Sequence, residues 1–453
     1  MRSAAAALLF GLGLICPAQD ASAAVGAVWA NDGEDKVTQD ELRASNSTPV
    51  ANSLWNGNTV SLFGAKNEVV NFNLILEAPT NPATSVGISI SNLTGPGGSI
   101  IRYSPRTTND LFNWTNSEIE IFYVRYLQIN GSSGFGGTVA NFQEPTFPAR
   151  SQCPAAQGAG CAWTSRPVAN KFYPDIAVPI ELAPNFNIAA GNNQSIWVDV
   201  YIPATAAAGI YTGAVTVTEN GVTTQTVPVS LTVRNFSLPD IPNSRTMLNT
   251  TTGDLSPRYG PNATLVPMQN QMRVAHRHKI SLIDGNWNDG WTNDMPAVQW
   301  LPFLDGGAFT LANGYAGPGA GVGNGVFSIG TYGGMTQVTG ITQAAFTAHF
   351  NNWETWFETN SPLTARFVYL CDEGLCQTPS QPQHPQSANH ARLVVRHIGA
   401  GPESADHGDT AVAQCGADGA ELSYVFRYPR ESPGRSVGCR QRHSQLFEET
   451  VRL

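Results

Sequence analysis

Asp372 and Glu373 are adjacent carboxylates at the end of a short apolar run, Phe367 to Cys371, and Gly374 comes directly after them. Successive side chains on a strand point to opposite faces. At the last residue of a strand, with a glycine next, the chain can bend so that both acids face one pocket. Two close carboxylates repel, so one keeps its proton to higher pH than the other. That division supplies a general acid beside an ionised partner. The same dipeptide before glycine also occurs in exposed turns, so the elements around it decide between the two readings.

Other chemistry-bearing residues are fewer. Cys153 and Cys161 close the short loop "CPAAQGAGC", and in an oxidising compartment a local disulfide is the favoured reading. Cys371 and Cys376 flank the acidic pair at a similar spacing. No second Cys or His cluster with zinc-like spacing accompanies them, so no metal is expected. The glycine-rich stretch "AGPGAGVGNG" lacks the strand-loop-helix setting and the lysine of a phosphate loop, which argues against nucleotide binding and against a cofactor of that kind. His276 and His278 fall at a helix end, where histidines interact with the last carbonyls. Trp353 and Trp356 are expected in a core or an interface.

The surrounding elements must position the acids. Charged residues make up 13% of the 453 and the formal net charge is -9, with no basic stripe, so nucleic acid is not an expected partner. Residues 1–23 read as a signal peptide: Arg2, an apolar run from Ala4 to Ile15, and the small-residue cleavage site Ala21-Ser22-Ala23. The expected location is secreted or periplasmic after cleavage near Ala23, with no membrane attachment of the processed chain.

Residues 24–243 read as an all-β sandwich region. Residues 59–78 alternate, with Val60, Leu62, Val70, Phe72, Leu74 and Leu76 on one face. Residues 117–129 are rich in β-branched and aromatic types. Over 194–240, Trp197, Asp199 and Tyr201 alternate with Val198, Val200 and Ile202, and Asn220-Gly221 is a two-residue hairpin signal. From 244 to 376 the pattern becomes helix and strand in alternation. Helices are expected over 270–279 and 341–360, the second with Phe346, Phe350, Trp353 and Phe357 on one face. Strands are expected over 280–285 and 326–329 and at "ARFVYL". Such alternation predicts a parallel sheet, here a partial (β/α)8 TIM barrel, whose chemistry lies at the strand C-termini.

Several of these stretches resemble glycoside hydrolase family 123. "VWANDGEDKV" with "SLFGAKNEVVNFNLILEA" is similar to the opening of that family's N-terminal sandwich. "WVDVYIPATAAAGIYTGAVTV" resembles one of its sandwich strands, "VAHRHKISLIDG" the first helix-to-strand passage of its barrel, and "FVYLCDEG" its catalytic Asp-Glu. The resemblance covers 28–376. It implies substrate-assisted, retaining hydrolysis of β-linked N-acetylgalactosaminides, in which the substrate's own acetamido oxygen attacks the anomeric carbon. Carried over by motif position, Asp372 would orient and stabilise the acetamido group. Glu373 would protonate the leaving oxygen and then deprotonate the incoming water. The expected partner is a glycan or glycoconjugate, with no cofactor and no metal. "DGNWNDGW" places Asp284, Trp287 and Trp291 after a strand. Either they contact sugar, since aromatic faces stack on sugar rings and acids accept from hydroxyls, or they form a polar surface loop.

The last 77 residues, 377–453, break the pattern. They contain one asparagine, Asn389, against 34 before them, and five of the eight histidines. A natural tail is one explanation; the favoured one is a frameshift near residue 377. A complete barrel takes about 250 residues, and 244–376 supplies roughly half of that. The chain as written is therefore expected to be a glycosidase by resemblance and inactive in fact. The alternative is a carbohydrate-binding or surface-adhesion sandwich protein without catalysis.

Overall fold

The computed structural model describes residues 23–46, 49–128, 171–241, 246–250, 252–260, 262, 265–284, 300–329 and 343–368. The chain divides into two compact units. The first comprises Met1–Gly64, Val70–Asn109 and Ile119–Asn235; the second comprises Ala65–Val69, Asp110–Glu118 and Phe236–Leu453.

Among the described residues, twelve strands make up the sheets of the first unit, in chain order. These are β1 (Ala27–Asn31), β2 (Val60–Lys66), β3 (Glu68–Ala78), β4 (Ala83–Ile90), β5 (Leu93–Thr94), β6 (Ile100–Ile101), β7 (Ile119–Gln128), β8 (Phe172–Pro179), β9 (Phe186–Ile188), β10 (Asn192–Ile202), β11 (Gly209–Glu219) and β12 (Val222–Ser237). One sheet runs β1-β3-β10-β7-β8. The other runs β2-β12-β11-β4-β9, with β5 and β6 attached through β11. β1 with β3, β10 with β7, β7 with β8, and β11 with both β12 and β4 all pair antiparallel, as a sandwich requires.

Alternation puts the core between the sheets. Phe72, Leu74 and Leu76 on β3 and Ile196, Val198, Val200 and Ile202 on β10 are all buried. They belong to one apolar cluster with Val215 and Val217 on β11 and Val227, Val229, Leu231 and Val233 on β12. Trp197, Asp199 and Tyr201 occupy the alternate positions of β10, and Trp197 Nε1 donates to Asp199 Oδ1 at 2.7 Å.

The stretch 59–78 is not one run. Asn67 takes a left-handed conformation, φ 61°, and splits it into β2 and β3, which lie in different sheets. Asparagine tolerates that conformation better than most residues, because its short polar side chain bonds locally. The Asn220-Gly221 hairpin forms as expected. Both residues have positive φ, 52° and 78°, the backbone of a primed turn, and glycine at the second position removes its steric cost.

In the second unit, β13 (Met247–Thr250) is followed by α1 (Thr252–Tyr259), α2 (Leu265–Arg277) and β14 (Ser281–Asp284). Then come α3 (Leu301–Asp305), β15 (Val326–Ile329), α4 (Gln343–Asn360) and β16 (Ala365–Val368). β13 pairs with β14 in parallel, and β15 with β16 in parallel. The described residues thus show two parallel pairs, each with helix between its strands. The helix expected over 270–279 begins earlier, at Leu265, and buries Met268 and Met272. On α4, Trp353 and Phe357 are buried against Phe327, with ring centroids 5.7 and 5.2 Å away.

The segment just before the glycine-rich stretch is ordered into short helical turns. α3 and two single 3-10 turns, Gly307–Phe309 and Leu311–Asn313, wind around Phe303, Phe309 and Tyr315, all buried. A Cβ at Gly323 would lie 1.8 Å from the Leu304 carbonyl oxygen, so glycine there permits contact between backbones.

Candidate functional site

The geometry around the expected site is set by strand direction. Thr250 at the end of β13 pairs in register with Asp284 at the end of β14. Ile329 and Val368 close β15 and β16 in the same way. Within each parallel pair, therefore, both strands end on the same side of the sheet. Asp372 and Glu373 come shortly after β16 in sequence but lie outside the described residues, as do Trp287, Trp291, Cys153 and Cys161. Of the expected site residues, Asp284 alone falls within a described element, as the last residue of β14.

The opposite end of β14 is fully described. α2 stops in a Schellman motif: the Ile280 amide donates to Ala275 O at 3.0 Å and the Lys279 amide to His276 O at 2.9 Å. Lys279 occupies the left-handed position, φ 60°, where glycine is usual. Its Nζ donates to Pro239 O at 2.6 Å. Asp240 Oδ1 accepts from Asn67 Nδ2 at 2.8 Å and from the Gly319 amide at 3.0 Å. These residues surround a cleft of about 20 Å³, lined by Asp240, His276, Lys279 and Ser281 among others. It has room for a water molecule and not for a sugar ring.

His276 is buried, with its Nε2 3.0 Å from Gly319 O. Burial lowers its pKa from 6.5 to about 4, so the ring is neutral near pH 7 and Nε2–H is the donor. The sequence predicts that this histidine bonds its own helix's last carbonyls; it bonds instead to a loop 43 residues on. Its ring lies flat on Phe309, a stack that holds the imidazole plane while Nε2 meets Gly319 O.

Sequence reasoning missed Trp114. It comes from the segment Asp110–Glu118 and is buried in the second unit. The Arg273 and Arg277 guanidinium carbons lie 5.3 and 5.1 Å from its ring centroid. Arg277 Nη1 donates to Ala316 O at 2.6 Å. A lone tryptophan in a polar stretch gives no periodicity from which to find this contact. Among the described residues no group of three or more His, Cys, Asp or Glu could hold a metal ion, and no helix is long and apolar enough to cross a membrane.

Residues 151–219 match the family model described as the glycoside hydrolase 123 N-terminal domain. That range takes in β8 to β11. Among solved structures, the chain is similar to a family 123 glycoside hydrolase from Clostridium perfringens, described for glycolipid glycan hydrolysis. Identity is 17% and the TM-score 0.35, over 51% of this chain and 32% of that one. The chain thus spans about a third of that relative's length. It is also similar to the N-terminal domain of PorA, with 8% identity and a TM-score of 0.19 over 47% of this chain and 100% of that one. No curated protein matches it. The family read from the sequence motifs is the family whose N-terminal domain model matches.

Proposed function

We propose that this chain is an exported glycoside hydrolase-like protein of the family 123 type, built to act on β-linked 2-acetamido sugars with assistance from the substrate's acetamido group. The supporting observation is the parallel pairing of β15 with β16, together with the family match on the sandwich. In sheets of this kind, chemistry lies at the strand C-termini, and the Asp372-Glu373 pair comes after β16 in sequence. Parallel pairing of sequential strands with helix between them, β13 with β14 and β15 with β16, is the repeating unit of such a barrel.

In this reading Asp372 stays ionised and holds the acetamido group as positive charge develops on it. Glu373 protonates the leaving oxygen and then takes a proton from water. Asp284, Trp287 and Trp291 line the sugar site. The chain as written does not turn over substrate, because the sequence after residue 376 loses the helix and strand pattern that would complete the barrel. The test is hydrolysis of a 4-nitrophenyl N-acetyl-β-galactosaminide. Measurable turnover by the purified chain as written would refute the inactivity, and equal turnover of the plain galactoside would refute substrate assistance.

A further inference from the structure

The outer face of the seven-stranded sheet has an unusual surface chemistry, and we propose that it is a docking platform for a neutral polysaccharide chain lying across β11 and β12. The inward positions of these strands are the buried valines and leucines of the core, so the alternate positions face outward. There Thr212 pairs with Ser230, Thr216 with Thr226, and Ile210 with Thr232. Thr216 also faces Ser89 on β4.

No acid and no lysine stands in these pairs. Among the described residues, the hydroxyls of Thr212, Thr216, Thr226, Ser230 and Thr232 have no hydrogen-bond partner. Thr212 with Ser230 and Thr216 with Thr226 form two cross-strand hydroxyl pairs about 4.8 Å across, and the uncharged pair Ala214 and Pro228 stands between them. Apolar side chains stand at the margin. Phe63 on β2 is 70% exposed, with the Arg234 guanidinium 5.6 Å from its ring centroid, and Ile210 is 60% exposed.

A neutral sugar polymer matches each property. Its ring faces are apolar and stack on an aromatic or aliphatic side chain, its edges carry hydroxyls that donate and accept, and it brings no charge for which the face lacks a partner. On β11 and β12 an anionic polymer would find a single cation, Arg234, already stacked on Phe63. A protein strand would add at a sheet edge rather than on the face. The platform lies within the first unit and does not depend on catalysis by the second.

The test uses the full chain after signal removal. Retention is measured on insoluble cellulose and on chitin, with heparin-agarose as the anionic comparison. Two variants accompany it: Phe63→Ala at an exposed site, and half-buried Thr216→Lys with exposed Thr226→Glu, an opposite-charge pair across the strands that the sheet tolerates. Thermal unfolding confirms that each is folded. The expected result is retention on at least one neutral polymer and not on heparin, weakened about tenfold or more in both variants. No retention on either neutral polymer, or retention unchanged in either folded variant, overturns the proposal. Hydrolysis of acetamido glycosides is read in a separate assay, so loss of one activity leaves the other proposal standing.

Discussion

The His276 imidazole lies flat on the Phe309 ring, with centroids 3.6 Å apart and planes 7° from parallel. The stack fixes the ring so that Nε2–H reaches Gly319 O, and a Cβ at Gly319 would lie 2.5 Å from that nitrogen. The groups near His276 are Asp240, which favours its charged form, and Lys279, which opposes it; burial outweighs both.

Burial depresses the folded pKa of His276 to about 4, below the unfolded value of 6.5. The stability held by the neutral ring is therefore present above pH 6.5 and is lost as pH falls from there towards and through 4. At full titration the loss is on the order of 3 kcal/mol. Urea unfolding at pH 7.5 and pH 4.5 should show the second unit weakened at the lower pH, with the difference reduced in His276→Phe.

Trp114→Ala removes the ring beside both Arg273 and Arg277 and the edge contact with Tyr315 at 5.7 Å. Large-to-small changes of this kind cost about 3–5 kcal/mol. Denaturant unfolding should show that loss in the second unit. An effect under about 1 kcal/mol would mean that Trp114 adds little beyond surface cover.

In the first unit, Glu77 is fully buried and accepts four hydrogen bonds: from Trp29 Nε1 at 2.7 Å, the Ala44 and Ser45 amides at 2.9 and 2.7 Å, and Ser45 Oγ at 2.5 Å. Glu77→Ala strands these donors, each costing about 1–3 kcal/mol when unpaired. A total of about 3 kcal/mol or more is expected by calorimetry or denaturant titration, with Glu77→Gln recovering part of it.

The sandwich is legible in the sequence because its core obeys period two. Phe72, Leu74 and Leu76 on β3 and the valines of β12 announce their face directly. The change of sheet at Asn67 is hidden, since polar alternation continues through the turn. Helices α2 and α4 are visible from their apolar spacing; the start of α2 is also marked, by Thr264 before Leu265 and Pro267 in the first turn, though the expectation began the helix later. Glycine content masks the ordered turns between Leu301 and Tyr315. Phe303, Phe309 and Tyr315 make aromatic contacts there, joined by Trp114 from a distant part of the chain. The proposed acidic pair stands out in the sequence by its position after an apolar run. β16 is described as far as Val368, and the acids lie beyond the described residues.

The most direct measurement compares two chains on 4-nitrophenyl N-acetyl-β-galactosaminide and the plain β-galactoside. One is the chain as written; the other carries, after residue 376, the continuation read from an alternative frame of the same coding DNA. The account predicts no turnover by the first chain. It predicts turnover of the acetamido sugar alone by the second, abolished by Asp372→Asn and by Glu373→Gln. Turnover of both sugars alike, full activity in either variant, or the lack of any frame that continues the helix and strand pattern would contradict it.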